Sequence, residues 1–229
     1  MASVANVFTV PRRSASAGLE RGGDASASLI VKRGVDIVGS LLLLLLIAPL
    51  MFVVALLIWA LDPGPLVYAQ ERIGKDGQPF PCLKLRTMIV GADEALLKVL
   101  NEDPEALLEW QTLHKLKCDP RVTRLGRFLR ISSIDELPQL INVLRGDMSL
   151  VGPRPIVSAE AWRYGRYLQN YCVVKPGITG LWQISGRNDT TYKRRVALDV
   201  IYARRSSFTF DLRLLALTIP ALFRREGCY

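Results

Sequence analysis

The chain has 229 residues, half of them hydrophobic, and its 30 Lys and Arg against 21 Asp and Glu give a formal net charge of +9. That is room for one domain of ordinary size plus a membrane segment, and a basic surface of this kind calls for an anionic counterpart: nucleic acid, acidic lipid headgroups or phosphorylated substrates. Cys82, Cys118, Cys172 and Cys228 are scattered without a CxxC pair, which argues against a zinc site or a disulfide framework, and a single histidine, His114, argues against histidine-based acid/base chemistry.

Residues 1–28 are rich in Ala, Ser, Gly and Arg without periodicity and read as a disordered tail. Residues 29–62 read as a membrane helix. Its apolar run, Val35 to Leu61, carries only Asp36 as a charge and is long enough to cross a bilayer. Pro49 sits in the middle, where it removes a backbone hydrogen bond and clashes with the preceding turn. Basic residues flank both ends: Arg12, Arg13, Arg21, Lys32 and Arg33 before, Arg72, Lys75, Lys84 and Arg86 after. The positive-inside rule puts both flanks in the cytoplasm, which a straight crossing cannot do and a helix bent at Pro49 can. The expected topology is therefore a re-entrant helix.

Residues 63–229 form the expected catalytic domain. Asp62-Pro63-Gly64-Pro65 breaks the helix, and Val67 to Gly74 and Phe80 to Met88 read as strands joined through Lys75-Asp76-Gly77-Gln78, whose Asp-Gly pair favours a hairpin. Ala92 to Asn101 and Glu105 to Lys117 read as helices. Leu137, Leu140, Ile141 and Leu144 recur at helical spacing before the stop at Gly146. Ser149 to Pro155 and Lys175 to Gly180 read as Gly/Pro loops, and Thr191 to Arg204 as a helix. Asp211 to Phe223 reads either as an amphipathic helix on the membrane surface or as an ordinary core-facing one. The expected fold is α+β, mostly helical, with a small β-hairpin.

Asp135-Glu136 is the candidate centre. Pro138 must fall in the first turn of a helix, so the two carboxylates lie at a helix N-terminus, where exposed N–H groups favour anions. Ser133 and Glu136 also have capping-box spacing, which accounts for the acid by helix chemistry alone. Arg121, Arg124, Arg127 and Arg130 precede the pair, and Arg145 and Arg154 follow it. Guanidinium groups hold phosphate through paired hydrogen bonds, and Arg154 and Arg187 both sit in stiff loops. Two carboxylates among arginines point to phosphate chemistry with a divalent cation, Mg2+.

Several motifs in chain order resemble the bacterial sugar transferase family of monotopic phosphoglycosyl transferases: Lys84-Leu85-Arg86-Thr87-Met88, Ile134 to Leu140, Gly146 to Pro155, and Lys175 to Gln183 with Ser185 to Asn188. The resemblance runs from about Lys32 to the C-terminus. It implies a re-entrant membrane helix in the bacterial inner membrane, a cytoplasmic catalytic domain, a UDP-sugar donor, an undecaprenyl-phosphate acceptor and Mg2+. It implies Asp135 as nucleophile, Glu136 as metal ligand, Arg130 and Arg154 as phosphate contacts, and Lys84 and Arg187 lining the site. The family often has Ser before the helix-breaking proline, where this chain has Ala48. Larger members carry extra spanning helices, so the chain resembles the minimal form. Its length, short tail and Cys-Tyr ending look most like the galactose-1-phosphate transferases that prime exopolysaccharide synthesis. The expected reaction moves hexose 1-phosphate from UDP-galactose or UDP-glucose to undecaprenyl phosphate and releases UMP, through a covalent Asp135 intermediate.

Two rival readings remain. A membrane scaffold explains the apolar helix and the charge but gives the acid pair no role. A nucleic-acid-binding membrane protein explains the charge, yet no basic motif interleaved with aromatics is present, so nucleic acid is not an expected partner. Membrane lipids are, and a homo-oligomer is left open.

Overall fold

A computed structural model of the chain describes residues 24–113, 116, 118–185 and 191–223. Most of the expected tail, the single histidine His114 and the candidate Arg187 lie outside the described residues. Helix α1 runs Asp24–Leu61, starting inside the segment expected as tail and passing through Pro49 without interruption. At about 1.5 Å per residue it is about 57 Å long, nearly twice the hydrocarbon thickness of a bilayer.

One stripe of α1 is covered from Lys32 to Ile58. Lys32, Arg33, Asp36, Ser40, Leu44, Ile47, Met51, Val54 and Ile58 are buried or half-buried, while Leu41, Leu42, Leu45, Leu46, Phe52, Val53, Leu56 and Trp59 are exposed. The covered residues recur every three or four positions, the spacing of one helix face. The opposite face is continuous apolar surface.

Strands β1 (Val67–Ile73) and β2 (Pro79–Leu85) pair antiparallel in the expected hairpin, with Val67 opposite Leu85. Asp76 and Gly77 both take positive φ in the turn, at 57° and 73°. Helices α2 (Ala92–Glu102) and α3 (Pro104–Leu113) fall where expected, and the described part of α3 ends at Leu113. Helix α4 (Arg124–Ile131) was not expected, because its three arginines hide an apolar face. Thr123 caps it, accepting from the Gly126 N–H at 2.8 Å. Helix α5 (Gln139–Arg145) stops at Gly146, whose φ of 96° suits a residue without Cβ.

The two Gly/Pro loops differ from expectation. Ser149–Val151 and Gly177–Thr179 are short strands, β3 and β4, paired in parallel. Gly152 and Gly177 make the crossing possible: a Cβ on Gly177 would lie 2.0 Å from the Gly152 nitrogen. Between them come short helices α6 (Ala161–Tyr164) and α7 (Leu168–Cys172). Then follow α8 (Leu181–Ile184), α9 (Tyr192–Arg205), capped by Thr191, and α10 (Phe208–Phe223).

The main core joins β2, α5, β3, α9 and α10 through Cys82, Leu140, Val143, Met148, Val151, Tyr202 and Leu214, with Leu44 and Ile47 of α1 packed against it. A second cluster joins Val54 and Ile58 of α1 to Leu85 and Leu129. Polar contacts fix both ends of α1 to this domain. The buried Asp36 carboxylate accepts from Ser149 Oγ at 3.0 Å and the Leu150 N–H at 2.9 Å, and Lys32 pairs with Asp211 of α10. At the other end Arg86 donates to the Asp62 carbonyl, and Asp62 accepts from the Val90 N–H at 3.0 Å. Helix α10 combines the two readings of its sequence: Asp211 and Leu214 are buried, while Leu212, Leu217 and Ile219 face outward beside α1.

Candidate active site

The centre of the site is a 3-10 turn, Ile134–Glu136, that precedes α5. Ser133 enters it with φ of 58° and its side chain makes no capping bond, so the capping box that the spacing allows is not formed. The carboxylates stand one turn ahead of α5, with Pro138 at the helix's N-terminal boundary, slightly before the position the sequence suggested. Helix α5, which follows the turn, is held against β2 by the fully buried Asn142, which donates to the Pro81 carbonyl at 2.8 Å and accepts from the Leu83 N–H at 2.9 Å. This fastening sets Lys84, the next residue of β2, beside the acid pair.

Glu136 is doubly paired. Lys84 Nζ donates to Oε1 at 2.8 Å, while Arg154 donates from Nη2 to Oε1 at 2.6 Å and from Nη1 to Oε2 at 3.2 Å. Burial raises the Glu136 pKa, but the two cations outweigh it and bring it down to about 2. Glu136 is therefore ionised at every physiological pH. Asp135 is buried and has no ion pair of its own among the described residues. Burial pushes its pKa up, with Lys84, Arg130 and Arg154 pulling the other way and Glu136 adding to the rise. A desolvated carboxylate is more basic than one in water, which suits a nucleophile. Arg154 is raised by Glu136.

Both acids open onto a cleft of about 1100 Å³. One wall is polar, with Thr87, Asp93, Arg130, Ser132 and Ser133; Arg130 Nε donates to Thr87 Oγ1 at 2.9 Å, which aims the guanidinium along that wall. A second wall is apolar and comes from α1 and α10, through Leu43, Ile47, Leu215, Thr218 and Ala221. Trp182 and Arg195 also line it, the guanidinium carbon 4.5 Å from the ring centroid. The cleft thus combines a basic, carboxylate-bearing floor, suited to anions, with both polar and apolar lining.

A family model described as bacterial sugar transferase matches residues 27–225. The chain belongs to the bacterial sugar transferase family. The chain is 47% identical over 206 residues to the undecaprenyl-phosphate galactose phosphotransferase of Salmonella typhimurium, covering 89% of this chain and 42% of that one. It is 46% identical over 203 residues to the UDP-galactose-lipid carrier transferase of Erwinia amylovora, again 89% and 42%. The exopolysaccharide production protein ExoY of Sinorhizobium fredii is 46% identical over 200 residues, 87% of this chain and 88% of that one. The chain thus spans less than half the length of the first two and most of the third.

Of the residues singled out in the sequence, Lys84, Asp135, Glu136 and Arg154 meet at the floor of the cleft, and Arg130 lines it. Arg121 does not join them: it pairs with Asp119 at 2.7 Å and lies over Trp110. Arg124, Arg127 and Arg145 are exposed and do not line the cleft. The sequence reading missed Trp182 and Arg195. Trp182 lies in a quoted motif without a role, and Arg195 reads as one more surface charge on α9. No group of three or more His, Cys, Asp and Glu side chains clusters among the described residues. The adjacent carboxylates still suit a magnesium ion, which takes one or two protein carboxylates and fills its shell with phosphate oxygens and water.

Proposed function

We propose that this chain transfers a hexose 1-phosphate from a UDP-sugar to undecaprenyl phosphate, the priming step of exopolysaccharide synthesis. The observation that carries the reading is the buried, unpaired Asp135 beside the cation-bound Glu136, at the floor of a cleft with one polar and one apolar wall. The names of the similar proteins from Salmonella typhimurium and Erwinia amylovora both specify galactose. UDP-galactose is the first donor to test and UDP-glucose the second.

In the proposed mechanism an Asp135 carboxylate oxygen attacks the β-phosphorus of the donor. The bond from that phosphorus to the bridging oxygen breaks, UMP leaves with its electron pair, and the sugar phosphate remains as an acyl phosphate. An oxygen of the lipid phosphate then attacks the same phosphorus and frees the carboxylate, giving the diphosphate-linked sugar. Splitting the reaction spares the site from holding two phosphorylated substrates together. Lys84, Arg130 and Arg154 offset the charge spread over the transferring group. Glu136 holds Arg154 and Lys84 in place and, with Asp135 beside it, would offer a carboxylate to Mg2+, which when bound would supply neutralisation of phosphate charge.

The covered stripe of α1 supports membrane association from one face. An upright crossing would drag the domain that covers residues 32 to 58 into hydrocarbon, whereas a helix entering and leaving by the cytoplasmic face keeps the domain in water. The deciding experiment incubates enzyme with UDP-galactose before any lipid is added. Stoichiometric UMP release and a sugar-phosphate mass increment on the Asp135 peptide are expected. Intersecting two-substrate kinetics without that burst would sink the covalent mechanism.

A further inference from the structure

The cleft is larger than the acid centre needs, and its two long walls differ in chemistry. On the α1 and α10 side the lining is Leu43, Ile47, Leu215, Thr218 and Ala221. The one hydroxyl there, Thr218 Oγ1, is engaged with the Leu214 carbonyl at 2.7 Å and Thr179 Oγ1 at 2.8 Å. This wall therefore has little to offer a uracil, a ribose or a hexose, all of which need polar partners when they leave water. It continues outward into the exposed apolar faces of the same two helices, through Leu42 and Leu46 on α1 and Leu217 and Ile219 on α10. Residues on those faces lie against lipid in the proposed orientation.

We infer that the groove between α1 and α10 is the acceptor subsite: it takes the phosphate-proximal isoprene units of the polyprenyl chain and leads them from the bilayer to Asp135. The donor then occupies the polar wall at Thr87, Asp93 and Arg130. The inference rests on the transferase reading and adds a specific role for α10. That helix is not a passive C-terminal element. Its pairing to α1 through Asp211 and Lys32, with Tyr202 donating to Asp211 at 2.8 Å, fixes the width of the groove. An apolar chain lodged there loses its contact with water or bilayer disorder and brings its phosphate to the cation-lined floor in one orientation, so the groove acts through position.

Two measurements test it. Leu215→Trp and Ala221→Trp fill the groove and are expected to raise the KM for undecaprenyl phosphate by about tenfold or more, the scale of one misfit in an apolar pocket, while the donor KM stays within about twofold. Leu212→Trp, on the outward face of the same helix, leaves both unchanged. A rise in donor KM instead, or an unchanged acceptor KM, overturns the assignment. The second measurement needs no turnover. A polyprenyl phosphate with a diazirine in its first isoprene unit is irradiated with Asp135→Asn protein in phospholipid vesicles. Label on α10 around Leu215 and on α1 around Ile47 is expected, and label confined to outward residues such as Leu42 and Leu46 overturns the groove. Failure of the wild-type chain to turn over any UDP-sugar would sink the transferase reading, whereas the crosslink reports on the groove alone.

Discussion

Asp135 and Glu136 are adjacent in sequence and have opposite electrostatics. Glu136 is held ionised by Lys84 and Arg154, with a pKa near 2, while burial lifts Asp135. Neighbouring carboxylates pushed apart in this way take different tasks. Arg154 holds both oxygens of Glu136 through a planar fork that lysine cannot copy. Arg154→Lys is expected to lower kcat/KM by about 10- to 100-fold, the worth of one charge-assisted bond, with the melting temperature little changed. Asp199 offers a separate test. It is almost fully buried, accepts from the Tyr164 hydroxyl at 2.7 Å, and has its other oxygen without a hydrogen-bond partner among the described residues. Burial pushes its pKa up to about 7, against the pull of Tyr164 and Arg195. A raised carboxylate favours the folded state while protonated. Its contribution is complete below the unfolded pKa near 4 and is lost as pH rises through about 7. The melting temperature of the wild type is expected to fall between pH 5 and pH 8 by more than that of Asp199→Asn. Equal slopes would show that Asp199 does not titrate in this window.

At the scale of elements, the joint between α1 and β3 matters most for placing the site. Asp36 is the one acid in the apolar run, and it serves the Ser149 hydroxyl and the Leu150 N–H. Asp36→Ala would strand two buried donors and is expected to cost about 1 to 3 kcal/mol for each that water cannot reach, read as a lower melting temperature in detergent. The β3–β4 crossing carries the loop with Arg154. Gly177→Ala would put a methyl 2.0 Å from the Gly152 backbone, which cannot yield as a side chain would. It is expected to destabilise the fold and to move Arg154 off Glu136, seen as activity lost beyond what the fraction folded explains. The same elements show what the sequence conveyed. The hairpin was legible from two apolar runs around Asp-Gly, and α5 from its spacing and its glycine stop. The β3–β4 pair was not, because three-residue strands are too short for a period and their Gly and Pro mimic a loop. Helix α4 was hidden because its charges face water on all but one side, although Thr123 before Leu125 and Leu129 was a usable signal.

For the whole molecule the question is how a domain proposed to act on a soluble substrate packs against a helix apolar enough to enter a membrane. Both ends of α1 are fastened to the same domain, at Asp36 to β3 and at Asp62 to Arg86. In a cysteine-free background, single cysteines before Asp24 and after Asp62 are expected to react only with reagents that reach the cytoplasm. Labelling of the N-terminal flank from the periplasm would show that α1 crosses. The proposed magnesium ion belongs at this scale as well, because phosphate oxygens of the substrate would complete its shell. Chelation by EDTA is expected to abolish transfer and added Mg2+ to restore it, while the melting temperature without substrate stays the same.

The sequence by itself determined the membrane segment, the hairpin, α5 and the acid pair among basic residues, since each is written in local spacing: an apolar run, an Asp-Gly turn, an i, i+3, i+4 pattern, a contiguous motif. Its ordered motifs also carried the family. Tertiary structure decided which basic residues matter. Arg121 and Arg154 look alike in sequence, yet one pairs with Asp119 away from the cleft and the other grips Glu136, because only the β3–β4 crossing and the Asn142 clamp bring residues 84, 136 and 154 together. It likewise decided that Glu136 is an ion-pair partner rather than a helix cap, and that α1 offers a stripe to the domain rather than a lone spanning helix. The physical reason is common to all three. A charge or an apolar face takes its meaning from what opposes it in space, and for these residues the opposing groups lie tens of positions away in the chain.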